Sequence, residues 1–187
     1  MYDVIFIGSG HAAWHAVVTM ALAGKKVAVV EKDLPGGACP NYGCDAKILL
    51  DGPFEYLEGL ERYKGLCVDK TGSINWKKLM NYKKDVIGVF PNALIDASAQ
   101  MGITFIKASG KILDAHTVQA GEQTIEGEAI VIATGQRDAQ LNILGSKYVR
   151  NSRDFLSIEE LPEHLICIGA GVISMEFASM EIGRAHV

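Results

Sequence analysis

The chain has 187 residues, 49% hydrophobic and 21% charged, which suits one globular domain with the beginning of another. A formal net charge of −4 leaves no basic footprint for nucleic acid or an anionic membrane. Cys39, Cys44, Cys67 and Cys167 are too few for a secreted disulfide scaffold. The longest mostly apolar stretch, Ala12 to Ala23, is interrupted by His15 and Thr19 and is too short to span a bilayer. No signal peptide is expected ahead of the first apolar run. The expectation is a soluble, cytoplasmic protein, where an isolated disulfide is more often catalytic or sensing than structural.

Residues 2 to 32 read as a βαβ unit. Val4 to Ile7 is a continuous apolar run suited to a buried parallel strand. Gly8-Ser9-Gly10-His11-Ala12-Ala13 follows, then a helical stretch closed by Gly24 and a second strand from Lys26 to Val30. This is a dinucleotide fingerprint with alanine at the third small position. Gly8 makes the tight turn, Gly10 lets backbone approach a pyrophosphate, and the helix N-terminus faces the phosphates. Glu31 stands where it can accept from a ribose hydroxyl, with Lys32 beside it. His11 and His15 lie one turn apart, but no third ligand is evident nearby, so no metal site is expected.

Gly36 to Lys47 is the stretch around which the chemistry turns. Cys39 and Cys44 lie five positions apart. Five residues of regular helix separate two Cα atoms by roughly 7.5 Å along the axis, beyond the ~7 Å limit for a disulfide. A bridge therefore needs Cys39 on a bent lead-in, which Pro40 and Gly43 suit. Cys44 then falls in a first helical turn, where the positive dipole end favours the thiolate. Asp45 sets a negative charge beside it. The stretch reads as a redox-active disulfide.

Lys47 to Asp51 continues a helix that Pro53 is expected to restart or kink. Phe54, Leu57 and Leu60, with Tyr56 and Tyr63, form an apolar stripe read as core packing, and Gly65 to Gly72 is a loop. A second amphipathic helix starts near Ser73 to Asn75, with Lys77, Lys78, Lys83 and Lys84 as its wet face. Pro91 interrupts it, and a further helix stops at Gly102. From Ile103 the period changes to a strand and a small antiparallel meander (111–113, 117–119, 124–126), then a strand from Ala129 to Ala133 closed by Thr134 and Gly135. Leu165 to Ile168 reads as a strand with Cys167 in the core. It runs into Gly169-Ala170-Gly171 and a helix carrying Glu176, the start of a second nucleotide site.

Two nucleotide motifs, a Cys-x4-Cys after the first βαβ unit and the Ala133-Thr134-Gly135 strand end occur in one order. Together they resemble the class I pyridine-nucleotide disulfide oxidoreductases, the family of dihydrolipoyl dehydrogenase, glutathione reductase and mercuric reductase. The resemblance implies an α/β fold: a Rossmann-like FAD-binding domain over 1–150, then from 151 to 187 a linker and the opening of a Rossmann-like NAD(P) domain. Residues 181–187 can be encoded by a common sequencing adapter and are expected to be foreign.

Position by position, the resemblance implies that Gly8 and Gly10 hold the FAD pyrophosphate and Glu31 the adenosine ribose. Gly37 and Ala38 run along the cofactor, Ala108 meets adenine, and Thr134 and Gly135 lie near the pyrophosphate. Gly169 and Gly171 form the NAD(P) turn. Cys44 is the sulfur against the flavin and Cys39 the interchange thiol. Glu176 pairs with a lysine beside the flavin, here Lys47. The family places that lysine four residues after the second cysteine; here it comes three after, and one residue turns a helical side chain by about 100°.

The implied activity passes electrons from NAD(P)H through FAD to Cys39–Cys44 and on to a small-molecule or protein disulfide, in a homodimer. The 187 residues alone are expected to give no turnover. Two other readings stay open: a flavin oxidase or dehydrogenase with structural cysteines, and a non-enzymatic thiol redox sensor.

Overall fold

β1 (Tyr2–Ile7) lies at the centre of a sheet ordered β3-β2-β1-β6-β5-β4. The computed structural model describes residues 1–185, the side chains of 183–185 excepted. β1 is followed by α1 (His11–Leu22) and β2 (Val27–Glu31), which returns parallel to β1 with Val4 opposite Val27. β3 (Thr104–Lys107) adds parallel to the far side of β2. The antiparallel meander is β4 (Gly110–Ile112), β5 (Thr117–Ala120) and β6 (Gln123–Ile132).

Where the sequence suggests two strands, 124–126 and 129–133, β6 is one. Its first part pairs antiparallel with β5 and its second part, from Gly127, pairs parallel with β1. Alternation along β1 and β2 explains the two cores on either face of the sheet. Val4, Phe6, Val27 and Val29 meet Ala13 and Val17 of α1. Ile5, Ile7, Ala28 and Val30 meet Val118, Ala120 and Ile125 of the meander. Both faces of the parallel strands are thus covered, as their unbroken apolar runs require. The mixed α/β, Rossmann-like architecture expected from the sequence is present.

The described residues divide into two compact units, 1–41 with 88–140 and 42–87 with the described residues from 141 on. The first holds the sheet, α1 and α5 (Phe90–Gln100), whose Leu94 and Ser98 are buried. α2 (Ala38–Tyr42) leads up to the division. The second holds α3 (Cys44–Glu61), α4 (Trp76–Gly88, bar its last residue), the short α6 (Ser152–Phe155) and α7 (Val172–Ala185). Its core gathers Ala46, Leu50, Phe54, Leu79, Met80, Phe155, Leu156, Phe177 and Met180. Phe155 stacks on Phe177 with ring centroids 4.1 Å apart.

Several sequence expectations change here. α3 runs through Pro53 without a break, because the missing N–H and the ring fall in a helix already fixed by the buried Ala46, Leu50 and Phe54. Of the expected stripe only Phe54 is buried; Tyr56 and Tyr63 are exposed, since their positions turn away from that line. Lys83 does not join the wet face: it is buried, and its ammonium donates to the Leu156 carbonyl at 2.5 Å. Its aliphatic stem packs while the cation finds an acceptor at the end of α6. Leu165 to Ile168 is not a strand, because among the described residues no ladder pairs with it. Cys167 is accordingly exposed, not core.

Candidate functional site

In the first unit the strand β1 ends at Ile7 and the chain turns through Gly8, Ser9 and Gly10 into α1. Its N-cap residue, Gly10, brings no side-chain cap, and no acidic residue stands in its first turn. Backbone N–H groups at such an end suit an anion. Gly8 has φ +106°, and a Cβ there would fall on the Ala133 carbonyl at the end of β6. Gly37 has φ +67°, and a Cβ there would lie 2.7 Å from the Gly10 Cα. The turn is therefore held between the segment after β6 and the segment after β2, with glycines where backbone meets backbone. Thr134 and Gly135 follow directly and are exposed, as is Lys32.

Glu31 ends β2 and is 8% exposed. Its Oε2 accepts from the Ser9 backbone N–H at 2.9 Å and from the Ser9 hydroxyl at 2.8 Å. Its Oε1 accepts from the Asp33 N–H at 2.8 Å. The Ser9 Oγ in turn accepts from the Gly36 N–H at 3.1 Å. The Ala108 N–H donates to the Glu31 carbonyl at 2.9 Å, which ties Ala108 to the end of β2. These features fit a dinucleotide: an uncapped helix start, a cradle that side chains would fill, and an acid at the end of the second strand.

Two residues of this unit carry more than the sequence reading assigned. Ser9 occupies the variable slot of the glycine motif, so no pattern singles it out, yet it joins Glu31 to Gly36. Asn41 is buried and donates from Nδ2 to the Pro35 and Gly37 carbonyls, both at 2.9 Å. Ala38 and half-buried Cys39 lie on α2 just after that fixed segment.

In the second unit Cys44 is the first residue of α3 and is exposed. Gly43 before it takes φ −144° and ψ −118°, off the helical values, so the helix begins at the sulfur's residue. One turn on, the Lys47 ammonium meets the Glu176 carboxylate of α7 at 2.5 Å. The hydrogen bond to Glu176 raises the Lys47 pKa above the usual lysine value. The pair is made despite the one-residue shortening. Asp51, one turn further, has its carboxyl pushed up by burial first and by Glu55 and Glu176 next. Gly169 has φ +110°, and Gly171 precedes α7, its carbonyl accepting from the Met175 N–H at 3.1 Å. His11 and His15 meet edge to face, centroids 5.1 Å apart.

A mixed sheet with a glycine turn and a terminal acid on its central strands defines a Rossmann-type dinucleotide-binding protein. Residues 2–186 match the family described as pyridine nucleotide-disulphide oxidoreductase, and the chain belongs to it. It is 33% identical over 95% of its length to a dihydrolipoyl dehydrogenase of Mycoplasma pneumoniae, of which it covers 40%. It is 32% identical over 96% of its length to a mercuric reductase of Staphylococcus aureus, covering 34%. The HOCl-induced flavoprotein disulfide reductase RclA of Escherichia coli superposes with a TM-score of 0.85 at 28% identity, over 98% of this chain and 40% of that one. The chain thus spans well under half the length of these relatives. Members of the family use FAD and NAD(P)H.

Proposed function

We propose that the protein carrying this chain is an FAD-dependent disulfide reductase that draws its electrons from NAD(P)H. The observation that carries the reading is the buried Glu31 at the end of β2, bonded to the uncapped glycine turn of α1. Gly8, Gly10, Thr134 and Gly135 would hold the pyrophosphate, Glu31 with Lys32 the ribose, and the Ala108 carbonyl the adenine. Gly37 and Ala38 would lie along the cofactor, and Lys47, oriented by Glu176, would stand beside its ring. Gly169 and Gly171 would receive NAD(P)H. Bound FAD supplies the two-electron exchange between hydride and thiol that no side chain can perform.

The chain's own part is exchange at sulfur. The Cys39 thiolate attacks one sulfur of an acceptor disulfide, whose other sulfur leaves as a thiolate and takes a proton. Cys44 then attacks Cys39 in the mixed disulfide, releasing the second thiol and leaving a Cys39–Cys44 bridge. One disulfide is reduced and one formed, so the electrons balance. A cytoplasmic homodimer is part of the same reading, and so is the domain plan of an FAD domain over 1–150 followed by the start of an NAD(P) domain. The 187 residues on their own are expected to show no turnover.

The test is the spectrum of the intact protein with bound flavin after two-electron reduction. A long-wavelength band that Cys44→Ser abolishes is expected. A protein that refuses added FAD, or whose Cys39 and Cys44 titrate as two permanently independent thiols, overturns the reading.

A further inference from the structure

We infer that Ser9 is a positioning residue for flavin binding: its hydroxyl fixes the Glu31 carboxylate and the Gly36 backbone in one relay. The inference rests on the FAD reading above and deepens it. Ser9 is fully buried and Glu31 nearly so, so the relay is shielded from water. The Ser9 Oγ has one proton and gives it to Glu31 Oε2 at 2.8 Å. That leaves a lone pair of Oγ for the Gly36 N–H, which uses it at 3.1 Å. The directions are thereby set: Gly36 donates to Ser9, and Ser9 donates to Glu31.

The consequence for the carboxylate is specific. Oε2 already accepts two hydrogen bonds from Ser9, while Oε1 accepts one, from Asp33. A carboxylate oxygen offers about two lone-pair sites. Oε2 is therefore filled, and a ribose hydroxyl must come to Oε1. Without the Ser9 hydroxyl the carboxylate keeps only the Ser9 and Asp33 backbone N–H groups to hold its last torsion, which is broad for glutamate. The hydroxyl also ties down Gly36, next to the Gly37 that lies against Gly10. Asn41 grips the same segment through the Pro35 and Gly37 carbonyls. Ser9 therefore acts chiefly on the ribose acceptor, through its charge-assisted bond, and only secondarily on the backbone beside the glycine turn.

The test measures FAD affinity of the purified intact protein stripped of flavin, by quenching of flavin fluorescence, for wild type, Ser9→Ala, Glu31→Ala and the double variant. A hydrogen bond to a charged group is strong enough that its loss should weaken binding about tenfold or more in Ser9→Ala. Because Ser9 acts largely through Glu31, the double variant should bind about as Glu31→Ala does, so the two losses should not multiply. A serine that merely supports the fold would lower the melting temperature of the flavin-free protein and give independent losses. Should Ser9→Ala not fold, Ser9→Cys takes its place, being near in shape and only a weak donor, with the same expectations. Wild type that binds FAD with Ser9→Ala binding equally, or with losses that multiply, overturns this inference alone. Wild type that does not bind FAD overturns it together with the reading beneath it.

Discussion

Gly37 combines a left-handed backbone with a neighbour against which no Cβ fits. Gly37→Ala should therefore cost at least the ~1–2 kcal/mol of a left-handed L-residue, and FAD affinity should fall with it because the glycine turn must shift. Denaturant unfolding and flavin titration of the same variant read both. Lys83 yields a pH prediction. Burial, with Lys84 adding, holds its pKa below 10.5 in the folded chain. Between that lowered value and 10.5 the unfolded chain binds the extra proton, so stability rises with pH in that window and the deficit is complete below it. Lys47 does not oppose this, since a raised pKa keeps its contribution whole below 10.5 and loses it only above. The denaturation midpoint of wild type should climb as pH rises through that window toward 10.5, and in Lys83→Met that part of the climb should vanish. Equal slopes would sink the argument. The sequence showed Gly37 two residues before a cysteine and Lys83 on a basic helix face, but not what each touches. Backbone collisions and a carbonyl at the end of a distant helix are set by chain folding, not by local pattern.

α3 is the element on which the second unit is built. It brings Ala46, Leu50 and Phe54 to one core at helical spacing, and that core also receives Phe177 and Met180 of α7. Leu50→Ala removes a fully buried side chain and should lower stability by about 2–5 kcal/mol, read by denaturant unfolding of the intact protein. A loss below about 1 kcal/mol would mean that the neighbours collapse into the space. The same core explains why Lys47 reaches Glu176 although the cysteine-to-lysine spacing is a residue short. The orientation of both side chains follows from how α3 and α7 pack, which one-dimensional spacing does not carry. By contrast β1, α1 and β2 were legible almost residue by residue. Their signals are local: an unbroken apolar run, a glycine turn and a second run ending in an acid. The segment at 165–168 has an equally apolar run and no strand, because a strand exists only with a partner to bond, and a run of residues does not state its partner.

Across the whole molecule, the residues proposed for FAD fall unevenly between the two units. Gly8, Gly10, Glu31, Lys32, Gly37, Ala38, Ala108, Thr134 and Gly135 belong to the first, and Lys47 belongs to the second. A ligand stabilises the states that bind it, by about 2.7 kcal/mol at a hundredfold excess over its dissociation constant. Amides that exchange only when the first unit opens should then slow by roughly 100-fold on adding FAD. These include β1, β2 and the part of β6 that pairs with β1. Amides of α4, remote in sequence from every proposed flavin residue, should slow less, because opening there need not release the ligand. Hydrogen exchange with and without FAD measures both sets at once. Protection confined to the second unit would place the cofactor on the wrong half of the molecule for a turn of Gly8 and Gly10 to hold it. Equal protection throughout would sink the expected difference between the two sets of amides.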